Sequence, residues 1–226
     1  MTQRRHRKLV VDLQKLGGIS ALIAAALYIT GFALFLTVLD PSGYDGHVQR
    51  VAFLTENQVA SYIANLLIYV VFGVVLVVLV LALHARLKSG SEAIMQTATV
   101  FGLIWSGLVI ASGMIANIGN STVVGLFGEN QDQAVALWLA ISTVQESLGG
   151  GNEIVGGLWV LLLSWAALRV GKLPKVLNSL GVLVGLAGIL TVVPAFDVLM
   201  DVFGLGQIVW FAWLGILMLR DNPSTT

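Results

Sequence analysis

Arg169-Val170-Gly171-Lys172-Leu173-Pro174-Lys175 is the stretch that decides the fold. Three cations, a glycine and a proline stand between two long apolar runs, so the chain must turn here in water, on the cationic side of whatever the runs cross. Working outward, six such runs appear: Gly18–Leu39, Val59–Leu83, Ile94–Gly119, Ile154–Leu168, Val176–Phe196 and Val202–Leu219. Most are long enough to cross a hydrocarbon core about 30 Å thick at about 1.5 Å per helical residue. The other basic residues fall before the first run (Arg4, Arg5, Arg7, Lys8, Lys15), between the second and third (Arg86, Lys88) and after the sixth (Arg220). Only Arg50 falls on the opposite side. With Lys and Arg held in the cytoplasm, the reading is an all-α, polytopic membrane helix bundle of six transmembrane helices with both termini inside.

Composition agrees. The chain has 226 residues, 57% hydrophobic and 11% charged, with a mean hydropathy of +0.91. A soluble domain carries about 25% charged residues, so this one lacks the polar surface to face water all round. Net charge is zero, but acidic residues gather on the outer side (Asp40, Asp45, Glu56, Glu129, Asp132, Asp197, Asp201) and few lie inside (Asp12, Glu92, Asp221). The basic inner face suits anionic lipid and is too small for nucleic acid. No cysteine is present, which excludes disulfide relay, haem–thiolate, iron–sulfur and thiol-nucleophile chemistry. The basic start ahead of an apolar run has the outline of a signal peptide. That run is too long for an h-region and lacks a small-residue cleavage site before Asp40-Pro41, so it reads as a retained first span.

The expected organisation is a basic cytoplasmic segment over 1–17, a transmembrane domain over 18–220 and a cytoplasmic tail over 221–226. For Met1–Leu16 two readings stand: an interfacial helix built on Leu9, Leu13 and Leu16, or a frayed tail. The loop Asp40–Gln58 opens with turn chemistry in Asp40-Pro41-Ser42-Gly43 and then places Val48, Val51, Ala52 and Val59 on one face of a helix resting on the outer surface. The third span leaves the bilayer near Asn117–Asn120 and carries Gly102, Ser106, Gly107, Ser112 and Gly113, residues that let helices approach closely. Ala134–Arg169 is too long for one span at about 54 Å, and Gly149-Gly150-Gly151 interrupts it. Either Ala134–Leu148 is a seventh span, or it is a broken or kinked lead-in to the fourth. A seventh span would carry Arg169, Lys172 and Lys175 outside, so the lead-in is the better reading. Gly181, Gly185 and Gly188 give the fifth span a close-packing face, and Pro194 ends it. Gly18 and Asn152 open two halves of opposite orientation, as in inverted-repeat transporters, but no internal sequence similarity accompanies them.

Two stretches carry a resemblance. One is Phe53-Leu54-Thr55-Glu56-Asn57-Gln58 running into the second span, which ends in Leu83-His84-Ala85-Arg86-Leu87-Lys88. The other is Gly157-Leu158-Trp159 followed by Leu173-Pro174-Lys175-Val176-Leu177 and the glycine-rich fifth span. Over nearly its whole length the chain resembles the six-span bacterial membrane family catalogued as domain of unknown function 4386. The resemblance implies a multi-pass protein of a bacterial cytoplasmic membrane. It transfers no catalytic residue.

Absences limit the chemistry. His6, His47 and His84 lie on a tail, an outer loop and an inner helix end, so no zinc or bis-imidazole haem site forms within the spans. Rhomboid-type Ser/His catalysis lacks its histidine, and neither a G-x-S-x-G elbow nor a phosphate-binding loop is present. The positive signal is an outer-half polar set: Asn65, Asn117, Asn120, Gln145, Glu146, Asn152, Glu153 and Gln207. Ionisable groups at membrane depth cost about 2.5–3.5 kcal/mol and usually face a bundle interior or cavity. Glu146 and Glu153 flank the triple glycine, where a broken helix exposes backbone groups to a ligand and Asn152 caps the new helix. The competing reading leaves both glutamates solvated in the headgroup zone, with Asn65, Asn117 and Gln207 bonding between helices. The six tryptophans divide between interface anchors and helix packing, or line a pocket for an apolar ligand.

Three functions follow. The first is a non-enzymatic bundle binding or passing a small or lipidic ligand through an outer-leaflet pocket, with Glu153, Asn152, Glu146, Asn65, Asn117 and Gln207 as its candidate residues. The second is an accessory subunit acting through helix contacts with a membrane-protein partner or a second copy. The third, lowest, is an enzyme working with the Glu146 and Glu153 carboxylates alone. Membrane lipids are the expected surroundings. No cofactor, metal or nucleic-acid partner is called for.

Overall fold

The computed structural model describes residues 2–150, 153–196 and 198–221, the first ten in backbone only. Nine α-helices follow in order among them: α1 (Thr2–Phe35), α2 (His47–Glu56), α3 (Gln58–Asn65), α4 (Phe72–Leu87), α5 (Glu92–Phe127), α6 (Gln131–Gln145), α7 (Ile154–Val170), α8 (Lys175–Leu190) and α9 (Leu199–Arg220). A π-turn, Leu66–Val71, joins α3 to α4 in one continuous rod, and a second, Glu146–Gly150, follows α6. No strand occurs among the described residues. Val is abundant in α4, a residue of modest helix propensity in water. Where no solvent can bond the backbone, the helix is the conformation that satisfies every peptide group from within.

Among the described residues, five stretches are long and apolar enough to cross a membrane: Asp12–Phe35, Gln58–Leu87, Glu92–Phe127, Gln131–Val170 and Leu199–Arg220. The protein has the make-up of a helical membrane protein. Lys175–Leu190 is apolar but shorter, at about 24 Å for its turns. The ends have ordinary causes. Asn130 caps α6, its side chain accepting from Gln133 N at 3.1 Å. Gly171 ends α7 in the left-handed region (φ 69°), where a side chain would be strained. Pro174 then presets the start of α8.

The chain divides into two compact units. One holds the described parts of 1–26, 74–106 and 152–226. Its centre is the α7–α8 crossing, where a Cβ on Gly157 would lie 2.6 Å from Gly185 O and a Cβ on Gly185 would lie 2.7 Å from Leu161 N. Trp159, Trp210, Phe203 and Phe211 fill the space around it, fully buried. Trp159 stands edge-on to Trp210 with ring centres 5.8 Å apart. Gly18 and Gly215 let α1 and α9 touch in the same way, since a Cβ on Gly215 would lie 2.8 Å from Gly18 O.

The other unit holds the described parts of 27–73 and 107–151. Here Val51 and Leu54 of α2 pack on Val123 and Ala134, with Phe127, Trp138 and Ile141 around them. Tyr28 meets Phe72 edge-on at 5.3 Å. Ser112 Oγ donates to Gln145 O at 3.0 Å, fixing α6 against α5.

α1 runs without a break from Thr2 to Phe35. The helix in the first long loop is present, but its buried face is Val51 and Leu54, while Val48 and Val59 are exposed. α5 continues past Asn117–Asn120 to Phe127, where Val123 and its neighbours bury against the α2–α6 core. The expected break in the helix is there: Gly149 leaves helical geometry (φ 178°, ψ 9°) after α6.

Candidate functional site

Tyr62, Leu66 and Val70 recur at four-residue spacing along α3 and its π-turn, so they share one face. Met114, Asn117, Ile118, Ser121 and Thr122 form a matching face on α5. Between the two faces lies an open groove of about 500 Å³. Gly113 brings the helices together at its edge, where a Cβ would lie 2.6 Å from Tyr69 Cβ and 3.2 Å from Asn65 O. The π-turn inserts an extra residue at this same crossing. Such turns redirect side chains at a cost in helix geometry and recur at functional sites.

Most of the lining is apolar, with Ser121 and Thr122 polar beside Asn117. Its Nδ2 donates to Tyr62 O at 3.3 Å. That bond sets the orientation of the amide, because only the nitrogen end can face a carbonyl. Asn117 Oδ1 is buried and accepts from no protein group. An unmatched buried acceptor costs about 1–3 kcal/mol, so the groove wall is better satisfied by a donor brought in from outside. Thr122 offers nothing comparable, because its hydroxyl folds back to Ile118 O at 3.1 Å.

The other sequence candidates are distributed as follows. Asn65 is buried at the Gly113 crossing, beside the groove rather than in its lining. Glu146 belongs to the same unit and is exposed at the head of the second π-turn. Glu153 and Gln207 belong to the other unit. Glu153 is half-buried and is itself the N-cap residue of α7, without a side-chain cap bond. Its N–H donates to Thr191 Oγ1 at 3.0 Å, and its carbonyl accepts from Gly157 N at 2.7 Å. The cap therefore sits one residue beyond Asn152, which lies outside the described residues. Gln207 is fully buried, and neither amide atom has a partner in the protein.

Sequence reasoning missed the groove lining other than Asn117. Met114, Ile118, Leu66 and Val70 read as ordinary span residues, and the available signal was Asn117 and Ser121 one turn apart on that face. It also missed Ser164 and Trp210, whose Oγ and Nε1 are buried without protein partners. His84 Nδ1 pairs with Thr99 Oγ1 at 2.8 Å, and His47 stacks obliquely on Trp138 at 6.1 Å. Among the described residues no three His, Asp or Glu side chains converge on a point where a metal ion would be held.

No curated protein and no solved structure matches the chain. Residues 16–217 match the model of the family described as a domain of unknown function (DUF4386), and the chain belongs to that family.

Proposed function

We propose that this protein is a non-enzymatic membrane bundle that binds an amphipathic, lipid-like ligand in the groove between α3 and α5. The observation that carries the reading is Asn117 Oδ1, an unpartnered acceptor in a wall that is otherwise mostly apolar, with Ser121 and Thr122 as its other small polar residues. The volume is within the range of about 300–1,000 Å³ common to ligand sites. A hydrocarbon chain fits the apolar wall, and a hydroxyl or amide N–H on the ligand answers Asn117. The accessory-subunit reading rested on glycine faces, of which several meet partners within the chain while Gly107 has open space. Gly102 meets Val80 and Trp159, Gly185 meets Gly157, and Gly188 meets Phe203.

The proposal places the chain in a bacterial cytoplasmic membrane, crossing six times with both ends inside. It takes Lys175–Leu190 as a short crossing and keeps Arg169, Lys172 and Lys175 in the cytoplasm. Because the chain has no cysteine, single introduced thiols report sidedness cleanly. Ser42→Cys is expected to react with a membrane-impermeant maleimide in intact cells, and Glu92→Cys only after permeabilisation. The reverse pattern overturns the topology.

Binding is tested in nanodiscs by thermal stabilisation with a monoacylglycerol and with the methyl ester of the same acid. The monoacylglycerol is expected to bind the wild type about tenfold more tightly, the equivalent of about 1.4 kcal/mol for one hydrogen bond to a buried acceptor. Asn117→Leu is expected to erase the difference. Equal affinities for the two lipids, unchanged by that substitution, would falsify the site.

A further inference from the structure

The end of α4, the start of α5 and the turn between α7 and α8 come together within one unit. Gly90 adopts φ 105°, a region open to glycine without strain, and a Cβ there would lie 3.6 Å from Val170 Cγ2. The turn after α4 therefore lies against the end of α7. Across this junction Lys172 Nζ donates to Arg86 O at 3.1 Å and to Ser89 Oγ at 3.0 Å. A surface lysine usually swings free with its ammonium hydrated. This one is held at a fixed point by two acceptors from the facing turn, and both are neutral.

Charge is left over at that point. Arg86 is paired with Asp221. Among the described residues Lys88, Arg169 and Lys172 form no ion pair, and Glu92, exposed in the first turn of α5, forms none either. Three cations thus stand against one carboxylate. The Lys172 ammonium has three N–H donors and uses two. Ser89 Oγ accepts from it and keeps its own proton to give. Arg169 lies over the Trp165 ring at 5.4 Å, and stacking of this kind leaves guanidinium N–H groups to other acceptors.

Apolar surface begins where the cations stop. Trp165 and Leu168 near the end of α7 and Val176 in the first turn of α8 are all exposed. Tryptophan settles at the level of lipid headgroups, so the charges one turn beyond Trp165 fall among the phosphates. A free anion would use the cations alone, whereas an amphipathic one uses both surfaces. We infer that Lys172, Ser89 and Arg169 form a site for the phosphodiester headgroup of an anionic phospholipid, whose acyl chains lie along Trp165, Leu168 and Val176. Their N–H and O–H groups meet the unesterified phosphate oxygens. The excess positive charge favours a headgroup that carries no cation of its own. The site stands independently of the groove between α3 and α5, and of which side of the membrane this end faces.

The test adds dioleoyl phosphatidylglycerol or dioleoyl phosphatidylcholine to the full chain in neutral detergent. Bound lipid is counted by native mass spectrometry and stability is followed as Tm. Phosphatidylglycerol is expected to bind more tightly and to raise Tm further. Arg169→Gln and Lys172→Gln are each expected to weaken it about fivefold, the worth of one cation near a lipid surface, and to leave phosphatidylcholine where it was. Arg169→Gln reads the site without cutting the tie that Lys172 makes to Arg86 and Ser89. Lys15→Gln removes an exposed cation from α1 in the same unit and is expected to weaken phosphatidylglycerol by less than about twofold. Equal affinity for the two lipids overturns the inference. So does a Lys15→Gln loss as large as that of Arg169→Gln, because diffuse surface charge would then suffice. A Tm rise in sodium phosphate or glycerol phosphate equal to that in phosphatidylglycerol also overturns it, by making the ligand a soluble anion.

Discussion

The α7–α8 crossing and the α3–α5 crossing both depend on glycine, yet one is closed and the other leaves a groove. At the first, glycine faces glycine: a Cβ on Gly157 would meet Gly185 O, Ile189 N and Gly188 C, all backbone. At the second, Gly113 faces Tyr69 Cβ and Val70 Cγ2 first, both side-chain atoms, with the backbone atom Asn65 O farther off at 3.2 Å. Two bare backbones lie flat against each other and leave no space beside them. One bare backbone against a helix that keeps its side chains touches at a point, and the π-turn Leu66–Val71 splays what lies beyond. In a membrane, helix association rests on packing rather than on escape from water, so this difference in contact is a difference in both stability and function.

The largest expected effect breaks the closed crossing. Leucine at Gly157 has only backbone to displace, and overpacking of that kind costs about 3 kcal/mol or more. Gly157→Leu is expected to yield little folded protein in detergent, or a Tm depressed well below wild type. Gly107 supplies the control, since it lies in α5 with open space where its Cβ would be. Gly107→Ala is expected to leave Tm unchanged or raise it, by up to about 1 kcal/mol of helix propensity. If both substitutions behaved alike, backbone contact would not be what holds α7 to α8.

That contrast also shows what could be read from the sequence. Gly181, Gly185 and Gly188 announce a close-packed face, and three adjacent glycines announce a broken helix; both follow from a missing Cβ, which is a local property. The partner of each face is not local, so the pairing of Gly185 with Gly157 was not legible. The α2 helix was, but its buried side was not, because Val48 and Val51 look equally apolar until Val123 and Ala134 supply a surface for only one of them. The groove left almost no trace. Its walls are apolar residues that serve equally well against lipid, and nothing in Leu66-Leu67-Ile68-Tyr69-Val70-Val71 marks a π-turn. Asn65, Asn117 and Gln207 were grouped by their apparent depth in the membrane, while the fold assigns Gln207 to a different unit.

A smaller change sharpens the comparison at the open crossing. Gly113→Ala sets a methyl 2.6 Å from Tyr69 Cβ, which is fixed to the backbone of the π-turn, so the helices must shift, though by less than a leucine at Gly157 demands. The expected cost is about 1–2 kcal/mol, less than at Gly157. Because the shift moves Tyr69 and Val70, the variant is also expected to lose most of the preference for a hydroxyl-bearing lipid. A Tm loss equal to that of Gly157→Leu would remove the distinction between the crossings.

The two units differ again in how their chain ends are tied. In the unit of α7, α8 and α9, contacts distant in sequence do the tying. Gln14 Nε2 donates to Met218 O at 3.0 Å and Asp221 O at 2.7 Å. Lys172 Nζ donates to Arg86 O at 3.1 Å, and Arg86 pairs with Asp221 at 2.5 Å. Arg86 is mostly covered, but Asp221 is half exposed, so solvent and salt weaken the pair and its worth is about 1 kcal/mol or less. Asp221→Asn is expected to lower Tm by a few degrees in dilute buffer, about 2–4 °C per kcal/mol. That difference should shrink in concentrated salt. A loss that persisted unchanged would mean that Asp221 acts through packing instead.

In the other unit the first long loop is held by bonds between near neighbours, and the expected effect is the smallest. Asp40 Oδ1 accepts from Ser42 N and Oδ2 from Ser42 Oγ, each at 2.9 Å. Both bonds favour the charged carboxylate and hold its pKa below 3.8, the backbone bond more than the hydroxyl. A lowered folded-state value means that the stabilisation is present above the unfolded value and fades as pH falls through the lower one. Near neutral pH, therefore, Ser42→Ala should leave Tm where it was. What should move is the titration of Asp40, followed by the carbon-13 shift of its carboxyl. The midpoint is expected to rise in Ser42→Ala but to stay below 3.8, because the larger, backbone contribution survives. A wild-type midpoint at 3.8, or one untouched by the substitution, would mean that the turn does not persist in solution and that this loop lacks even its local tie.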